Sequence, residues 1–255
     1  MILLIDAGNS RVKWSLVAAG ERIARGVLAS DPAGILAEPW QSHAPEAAVV
    51  ACVAGAEVRQ ALTTTLERPG LAVHWLTPQA EGHGLSSRYE PPESLGADRY
   101  AALLGALRRQ AGDCLVVGVG TAATVDVLCA EGVFLGGCIV PGPALMATAL
   151  AGGTARLGQV APRWPREWDG RSVPRDTAAA MGEGMLLALR GVILAMGERL
   201  AARSRAGGRE GGHTVLLHGG ARGLLLPFLT IPVVEVEDLV MEGLAWVARD
   251  LGYAV

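Results

Sequence analysis

The sequence lacks a strong excess of charge of either sign. It has 22 basic and 25 acidic residues among 255, which gives a net charge of -3, and charged residues make up only 18% of the chain. Because nucleic-acid-binding surfaces need clustered positive charge, this balance predicts no nucleic-acid partner. The 51% of hydrophobic residues argues against disorder and suits one large domain or two small ones with a real core.

Cysteine is also scarce. There are four cysteines, and they form no CxxC pair: Cys52, Cys114, Cys129 and Cys138. All lie in apolar stretches that are typical of strands. We therefore expect buried free thiols rather than a disulfide framework or a zinc site, as is usual in a reducing cytosol.

Targeting and membrane signals are missing as well. The N-terminus shows no basic region followed by a long apolar segment, so no signal peptide is predicted. We expect no apolar run of membrane-spanning length, since the best candidate, residues 184–197, is interrupted by Arg190. These absences predict a cytoplasmic protein without a membrane partner.

The hydrophobic pattern that is present predicts a β-hairpin at the start. Residues 2–6 form an apolar run that ends in Asp6, and residues 11–18 alternate between apolar and polar. A tight Gly-Asn turn joins them, and a third strand is expected after Gly20. Strands at 47–54 and 71–76 then flank a helix, and another helix is expected from about Ala97.

The same strand–turn–strand pattern recurs at residues 114–142, with Gly120 in the position of Gly8. One unit used twice predicts two similar lobes, residues 1–110 and 111–255, with an approximate boundary. The longest helix is expected from about Arg175 to Arg203. The C-terminal part predicts a strand, a Gly-Gly turn, a short helix, a strand and a final helix.

The first glycine turn, Asp6–Ser10, has two interpretations. A carboxylate at a strand end can hold Mg²⁺ through water, while the backbone N–H groups and the Ser10 hydroxyl meet a phosphate. A hairpin with ordinary Asn-Ser turn chemistry fits equally well. Lys13, on the polar face just beyond the turn, either assists phosphate binding or is solvated.

The second glycine turn, Gly120-Thr121-Ala122, is by itself compatible with an ordinary tight turn. Together, two matched turns from two lobes would clamp a triphosphate. Asp126, on the second arm of this hairpin, is expected at the surface rather than at a metal.

Two further motifs lie where other elements meet. In Gly96-Ala97-Asp98-Arg99, Asp98 either complements a helix dipole with Arg99 as its partner, or accepts a proton from an attacking hydroxyl while Arg99 holds an anion. In His218-Gly219-Gly220, the glycines either form a simple turn or let a flat adenine or ribose approach the backbone.

With these motifs, the chain resembles the type III pantothenate kinases, a family within the acetate kinase/sugar kinase/Hsp70/actin superfamily. The resemblance runs nearly end to end, and its most specific part is the Gly-Ala-Asp-Arg motif. The matching residues are Asp6-Ala7-Gly8-Asn9-Ser10, Arg88-Tyr89, Gly96-Ala97-Asp98-Arg99, Gly120-Thr121-Ala122 with Thr124 and Asp126, residues 136–146, Thr177 and His218-Gly219-Gly220.

The resemblance implies an α/β fold of two similar actin-like (ribonuclease H-like) lobes, each a mixed sheet flanked by helices, with a cleft between them. It also implies ATP-dependent phosphorylation of pantothenate to 4'-phosphopantothenate, the first step of coenzyme A biosynthesis. Asp98 would activate the pantothenate hydroxyl, and Asp6 would position Mg²⁺. We expect these two carboxylates to converge on one cleft.

The resemblance further implies a homodimer whose substrate pocket lies at the interface. It assigns ATP and phosphate to Asp6, Gly8, Asn9, Ser10, Lys13, Gly120, Thr121, Ala122, Gly219 and Gly220. It assigns pantothenate to Tyr89, Gly96, Ala97, Asp98, Arg99 and, from the neighbouring subunit, Thr177.

One position departs from the family. The family usually has Asp two residues before the Gly-Thr-Ala turn, where a monovalent cation (K⁺ or NH₄⁺) binds, and here that residue is Gly118. Either another oxygen serves or the cation is lost. Two alternative functions stay open: a non-catalytic transcription accessory factor on the same fold, and a kinase for another small hydroxy compound.

Overall fold

A computed structural model describes residues 1–37, 40, 43–109 and 112–255. The chain forms two compact units. The first comprises Met1–Arg109, Gly132–Phe134 and Asp238–Val255, and the second comprises the described residues 112–131 and 135–237. The predicted boundary at 110 and 111 falls on residues outside the described part. Residues 238–255, which the sequence analysis assigned to the second lobe, belong to the first unit.

The first unit is built on a five-stranded mixed sheet of order β3-β2-β1-β4-β5. β1 pairs antiparallel with β2 and parallel with β4, so it lies at the centre, and every residue of its apolar run is buried. The strands are β1 (Ile2–Ala7), β2 (Arg11–Ala18), β3 (Glu21–Ala29), β4 (Ala47–Cys52) and β5 (Ala72–Trp75).

Helices and a small hairpin complete the first unit. One face of the sheet packs against a core in which the rings of Trp14 and Trp40 meet edge to face, with their centroids 5.7 Å apart. The remaining elements are α1 (Pro32–Leu36), α2 (Ala56–Leu66), β6 (Glu81–Gly82), β7 (Leu85–Ser87), α3 (Ala97–Arg109) and α7 (Leu239–Asp250).

The C-terminal helix α7 joins the first unit because two glycines let it approach α3 closely. A Cβ atom at Gly243 would overlap the carbonyl oxygen of Ala101, and one at Gly105 would overlap that of Leu239. Arg109 on α3 also pairs with Glu242 on α7. Backbone contact of this kind cannot be read from the 3.6-residue pattern of either helix.

The second unit repeats the strand pattern of the first. β8 pairs antiparallel with β9 and parallel with β11, just as β1 does with β2 and β4, so the predicted repetition is present. Its strand order is β12-β11-β8-β9-β10. The strands are β8 (Cys114–Val119), β9 (Ala122–Leu128), β10 (Val133–Pro141), β11 (Thr214–His218) and β12 (Val233–Glu235).

Three helices belong to the second unit: α4 (Pro143–Gly153), α5 (Thr177–Ala206) and α6 (Arg222–Leu225). The first residues of β10, Val133 and Phe134, are part of the first unit and pair with β7. The long helix α5 starts where Asp176 accepts a hydrogen bond from the Ala179 N–H, 3.0 Å away.

The helix α5 corrects an expectation about membrane-spanning length. It has 30 residues and a mean hydropathy of 1.5 over its most apolar stretch, so it is long and apolar enough to cross a membrane by length and composition. The expectation that no segment reaches this length was wrong, because the helix continues through Arg190. That side chain is held within the second unit: its Nε donates to Phe228 O (2.9 Å), and its guanidinium lies over the Trp168 ring.

The four cysteines are free thiols. Cys114 and Cys129 are buried, as predicted. Cys52, at the end of β4, and Cys138, in the partly exposed strand β10, are only partly buried.

Substituting Gly243 by Ala tests the close contact of α3 with α7. The added methyl group cannot fit against Ala101 without moving a helix, so we expect the free energy of unfolding to fall by about 2–4 kcal/mol. Urea denaturation followed by circular dichroism measures this. As a matched control, Gly152→Ala in α4, where nothing lies within 4 Å of the new Cβ, should be neutral or stabilising. Equal effects of both substitutions would contradict the proposed contact.

Candidate active site

Asp6 and Lys13 face each other across the first hairpin. They are direct partners in the register of β1 and β2, and Lys13 Nζ lies 4.0 Å from Asp6 Oδ2. Because β1 is flanked by strands on both sides, the Asp6 side chain is only 13% exposed. Lys13 is the single lysine of the sequence. It is therefore a positioned partner of a buried carboxylate rather than a solvated residue.

A third residue, Asp238, joins this pair and was missed by the sequence analysis. Lys13 Nζ donates to Asp238 Oδ1 at 3.5 Å. Asp238 immediately precedes α7, and an Asp before a helix usually signals only a cap. Here its side chain faces Lys13 instead of capping α7, and that arrangement depends on the packing of α7 in the first unit.

The electrostatics of Asp6 show that one lysine and two further carboxylates act on it. Burial raises the pKa of Asp6 from 3.8 to about 7; Lys13 opposes this rise, while the negative charges of Asp98 and Asp238 add to it. Asp6 and Asp98, which we expected to converge, are therefore near enough to interact. Three acids with two neighbouring cations, Lys13 and Arg99, leave room for additional positive charge.

Asp98 lies in the first turn of α3. Its Oδ1 accepts a hydrogen bond from the Arg99 N–H at 2.8 Å. Burial raises the pKa of Asp98, and the Arg99 hydrogen bond and charge partly oppose this. The carboxylate folds back over Gly96, where a Cβ atom would lie 2.5 Å from Asp98 Oδ1. Glycine is thus required before the helix so that Asp98 can adopt this position.

Arg99 is a buried cation in an aromatic setting, 6% exposed. Its guanidinium lies 5.4 Å from the centre of the Tyr89 ring and 5.9 Å from that of Phe134. Arg99 Nη1 also donates to Tyr89 Oη at 3.4 Å. Tyr89 and Arg99, predicted to act together on a ligand, are in contact. The Ala97 side chain is buried in the core of the first unit.

The first glycine turn is closed by its own backbone and by Ser30. Gly8 N donates to Arg11 O (3.0 Å), and Ser30 Oγ donates to Gly8 O (2.8 Å). Asn9 and Ser10 are exposed at the tip. The turn is therefore fixed at its base and presents its tip to solvent.

The second glycine turn, in the second unit, has the same construction. Gly120 N donates to Ala122 O (3.0 Å), and Gly142 N, at the start of α4, donates to Thr121 O (2.9 Å). The residues Gly120, Thr121 and Ala122 are exposed. Both predicted phosphate turns thus have closed bases and exposed tips.

Gly219 packs directly on the strand that leads into the second turn. Its φ is +96°, and a Cβ atom there would overlap the backbone of Val119. Ala221 N donates to Val119 O at 3.0 Å, which fixes the Gly-Gly segment beside β8. Gly220 has nothing within 4 Å of its Cβ position. Glycine at position 219 is therefore needed for the packing of this segment on β8.

Thr177 and Asp126 also lie in the second unit. Thr177 is exposed at the start of α5 and lines an apolar groove of about 640 Å³ with residues of α4 and α5, such as Met146 and Met181. Asp126 was expected at the surface, which is wrong: it is 1% exposed because its carboxylate lies against Gly137 of β10.

The donor set around Asp6 suits a divalent cation. Mg²⁺ prefers carboxylate oxygens and water, and it is usually held by one or two carboxylates. The buried Asp6 carboxylate, with Asp98 and Asp238 nearby, is destabilised as an anion, so a bound cation would offset that cost.

Comparison with solved structures defines the class of fold. The chain matches a putative Baf family transcriptional activator from Campylobacter jejuni (TM-score 0.63, 18% identity, 98% of each chain). It also matches a putative 2-dehydro-3-deoxygalactonokinase from Sinorhizobium meliloti (TM-score 0.57, 16% identity, 99% of each chain). At these identities the likeness concerns the fold alone, and the predicted actin-like α/β class is confirmed.

Comparison of sequences identifies the family. The family model described as type III pantothenate kinase matches residues 2–199. A protein named type III pantothenate kinase from Aromatoleum aromaticum is 41% identical over 98% of each chain, and one from Nitrosomonas eutropha is 38% identical over 97% of this chain and 94% of its own. The chain belongs to the type III pantothenate kinase family.

Substituting Asp6 by Asn tests the cost of burying this carboxylate. The pKa of Asp6 is about 7 in the folded protein and near 3.8 in the unfolded chain. Between pH 3.8 and pH 7 the folded state therefore binds more protons than the unfolded state. The free energy of unfolding consequently falls as the pH rises through this range. Without divalent cations, Asp6→Asn should increase the free energy of unfolding at pH 8 by about 1–3 kcal/mol. Urea denaturation at pH 8 and pH 4.5 measures this.

At pH 4.5 the difference from the unsubstituted protein should largely disappear, because Asp6 is then protonated. Glu21→Gln, which removes an exposed carboxylate of β3, is the control and should leave the pH dependence unchanged. A loss of stability at pH 8 in Asp6→Asn would contradict the burial cost.

Proposed function

We propose that this chain transfers the γ-phosphoryl group of ATP to the hydroxyl of pantothenate, giving 4'-phosphopantothenate in the first step of coenzyme A biosynthesis. Family membership over nearly the full chain supports the activity. The observation that carries the chemistry is the placement of Asp6 and Asp238 beside Lys13, with Asp98 near enough to raise the pKa of Asp6. Phosphoryl transfer needs little covalent chemistry from a protein, and it depends on positioning and charge neutralisation.

We assign Asp98 as the group that accepts the proton of the attacking hydroxyl. Its Oδ1 is occupied by the Arg99 N–H, which leaves Oδ2 for the substrate. Burial raises its pKa, which makes the ionised carboxylate a better proton acceptor than an exposed one. The hydrogen bond from Arg99 fixes the orientation of the carboxylate, so the hydroxyl meets a pre-positioned oxygen.

We assign Asp6 to Mg²⁺, with Asp238 nearby, and Lys13 as a fixed positive charge between the two carboxylates. When bound with ATP, the ion supplies charge neutralisation on the phosphate oxygens. Lys13 holds both acids in place and contributes its own charge at the same position.

Phosphate binding is assigned to the exposed tips of the two glycine turns. Since the Gly8 and Gly120 N–H groups close their own turns, the contacts with phosphate fall to Asn9 and Ser10 in the first unit and to Thr121 and Ala122 in the second. Gly219 and Gly220 are assigned to the nucleoside, which needs a flat approach to the backbone.

Pantothenate carries a carboxylate, and we assign its recognition to Arg99 with Tyr89. A buried guanidinium held over an aromatic ring is a strong anion partner. Gly96 and the Ala97 backbone line the approach to Asp98.

We further propose a homodimer formed through the groove of α4 and α5. The exposed face of α5 is apolar at successive turns, including Ala180, Gly184, Leu187 and Ala188, and an apolar surface of this kind favours association. Thr177 lines this groove, so a second copy covering the groove would contact it, and we assign Thr177 to the pantothenate of the neighbouring subunit. The four free thiols support a cytoplasmic location.

Substituting Asp98 by Asn tests the proposed reaction. The change keeps shape but removes the proton acceptor, so turnover with pantothenate should fall by about 10²–10⁴-fold. A coupled assay for ADP release with and without pantothenate measures it. Asp250→Asn, in the same unit at the far end of α7, is the matched control and should keep full activity.

Circular dichroism and binding of an ATP analogue should be unchanged in Asp98→Asn, which separates lost chemistry from lost folding. Turnover within about tenfold of the unsubstituted enzyme would exclude Asp98 as the proton acceptor. Absence of ADP release with pantothenate from the unsubstituted chain would favour the accessory-factor alternative, and faster turnover with another hydroxy compound would favour a different acceptor.

Substituting Ala188 by Arg tests the dimer. Burying an arginine charge in the apolar groove would raise the free energy of the dimer, so the protein should shift from dimer to monomer. Light scattering after size-exclusion chromatography measures the mass. Gln60→Arg, an equal change on the exposed surface of α2, should stay dimeric. An unsubstituted protein that is monomeric at micromolar concentration would contradict the proposal.

A further inference from the structure

Three side-chain positions lie in one row across the sheet of the second unit. In the strand register, Gly118 of β8 is the partner of His218 on β11 and of Thr124 on β9. Gly118 lies two residues before Gly120, so this row is on the same face as the start of the second phosphate turn. The parallel strands β8 and β11 both end at this edge, where ligands of α/β sheets bind.

The His218 ring and the Thr124 hydroxyl occupy the space that a side chain at position 118 would need. A Cβ atom on Gly118 would lie 3.0 Å from His218 Nε2, 3.0 Å from Thr124 Oγ1 and 3.2 Å from His218 Cε1. The Nε2–Cε1 edge of the imidazole therefore faces the space above the glycine. An aspartate at 118 would have to displace the ring.

The backbone that carries this ring is also firmly positioned. The next residue, Gly219, is in direct contact with the backbone of Val119, and Ala221 N donates to Val119 O. This anchors the end of β11 against the end of β8. His218 thus belongs to a fixed part of the sheet rather than to a flexible loop.

A monovalent cation does not fit this arrangement. Such an ion needs several oxygen ligands, and the carboxylate that would supply them at position 118 is absent. Two of the three heavy atoms nearest that position belong to an imidazole, and only one is an oxygen. An imidazole nitrogen that carries hydrogen is a donor and repels a cation.

We propose that His218 replaces the carboxylate–cation pair, so that phosphoryl transfer by this chain needs no K⁺ or NH₄⁺, and that Nε2 acts as a fixed hydrogen-bond donor for the nucleotide phosphates at the Gly120 turn. A carboxylate beside phosphates requires a cation to balance its charge. A glycine removes that charge, and a donor N–H then stabilises the phosphates directly. The inference rests on the proposed kinase function.

Activity in different salts tests the claim that the reaction needs no K⁺ or NH₄⁺. Rates are measured in KCl, in NH₄Cl and in tetramethylammonium chloride at equal ionic strength. The unsubstituted enzyme should change by less than about twofold, since each ion contributes only screening. Activation of about tenfold or more by K⁺ would overturn the inference while leaving the kinase function intact, whereas a protein inactive in every salt would overturn the kinase function itself.

Nucleotide binding, measured separately from activity, tests the claim that His218 Nε2 donates a hydrogen bond to the phosphates. The dissociation constant of a non-hydrolysable ATP analogue with Mg²⁺ is measured by calorimetry, without pantothenate. His218→Ala should weaken binding about tenfold, which is the usual effect of losing one hydrogen bond to a charged group. His218→Gln, whose amide nitrogen can take the position of Nε2, should restore binding to within about threefold.

If the Ala and Gln variants lose the same affinity for the ATP analogue, the role of His218 is structural and the donor assignment is overturned. The assignment is also overturned if the Ala variant binds the analogue as tightly as the unsubstituted protein. Thermal melting of both variants controls for folding. A double variant, Gly118→Asp with His218→Gly, should gain activation by K⁺, because it restores the carboxylate and clears the ring. Independence of K⁺ in a folded, active double variant would contradict the proposed replacement.

Discussion

The candidate site depends on one electrostatic constraint, which is that a single lysine serves two partly buried acids, Asp6 and Asp238. Lys13 lies between Asp6 and Asp238, and Asp98 adds its charge to the same region. Burial destabilises the ionised form of these carboxylates, so the site favours the binding of a cation. Proteins hold such groups at functional sites because the cost is recovered when the ligand binds.

The packing of the C-terminal helix in the first unit supplies one of these acids. Asp238 reaches Lys13 only because α7 packs on α3, and this packing requires glycine at both contact points, Gly105 and Gly243. The two glycines carry no chemistry of their own. They determine how closely two backbones approach, and through that distance they position an acidic side chain beside the site.

In the second unit, a departure from the family pattern becomes intelligible through its neighbours. Gly118 looked like a lost ligand when only the sequence was considered. In the sheet, the glycine makes room for the His218 ring beside Thr124. Two residues a hundred positions apart are thus linked by strand register, and neither can be interpreted without the other.

The sequence alone determined most of the elements and which residues are candidates for the site. Apolar periodicity gave the two repeated hairpins, and the Gly-Ala-Asp-Arg motif located Asp98 at a helix start, because these features depend on neighbouring residues. The tertiary structure decided what depends on distance through space: the buried position of Asp126, the contact of Asp238 with Lys13, and the ring of His218 over Gly118. Strand register and helix packing create these contacts between residues far apart in the chain, so no local pattern records them.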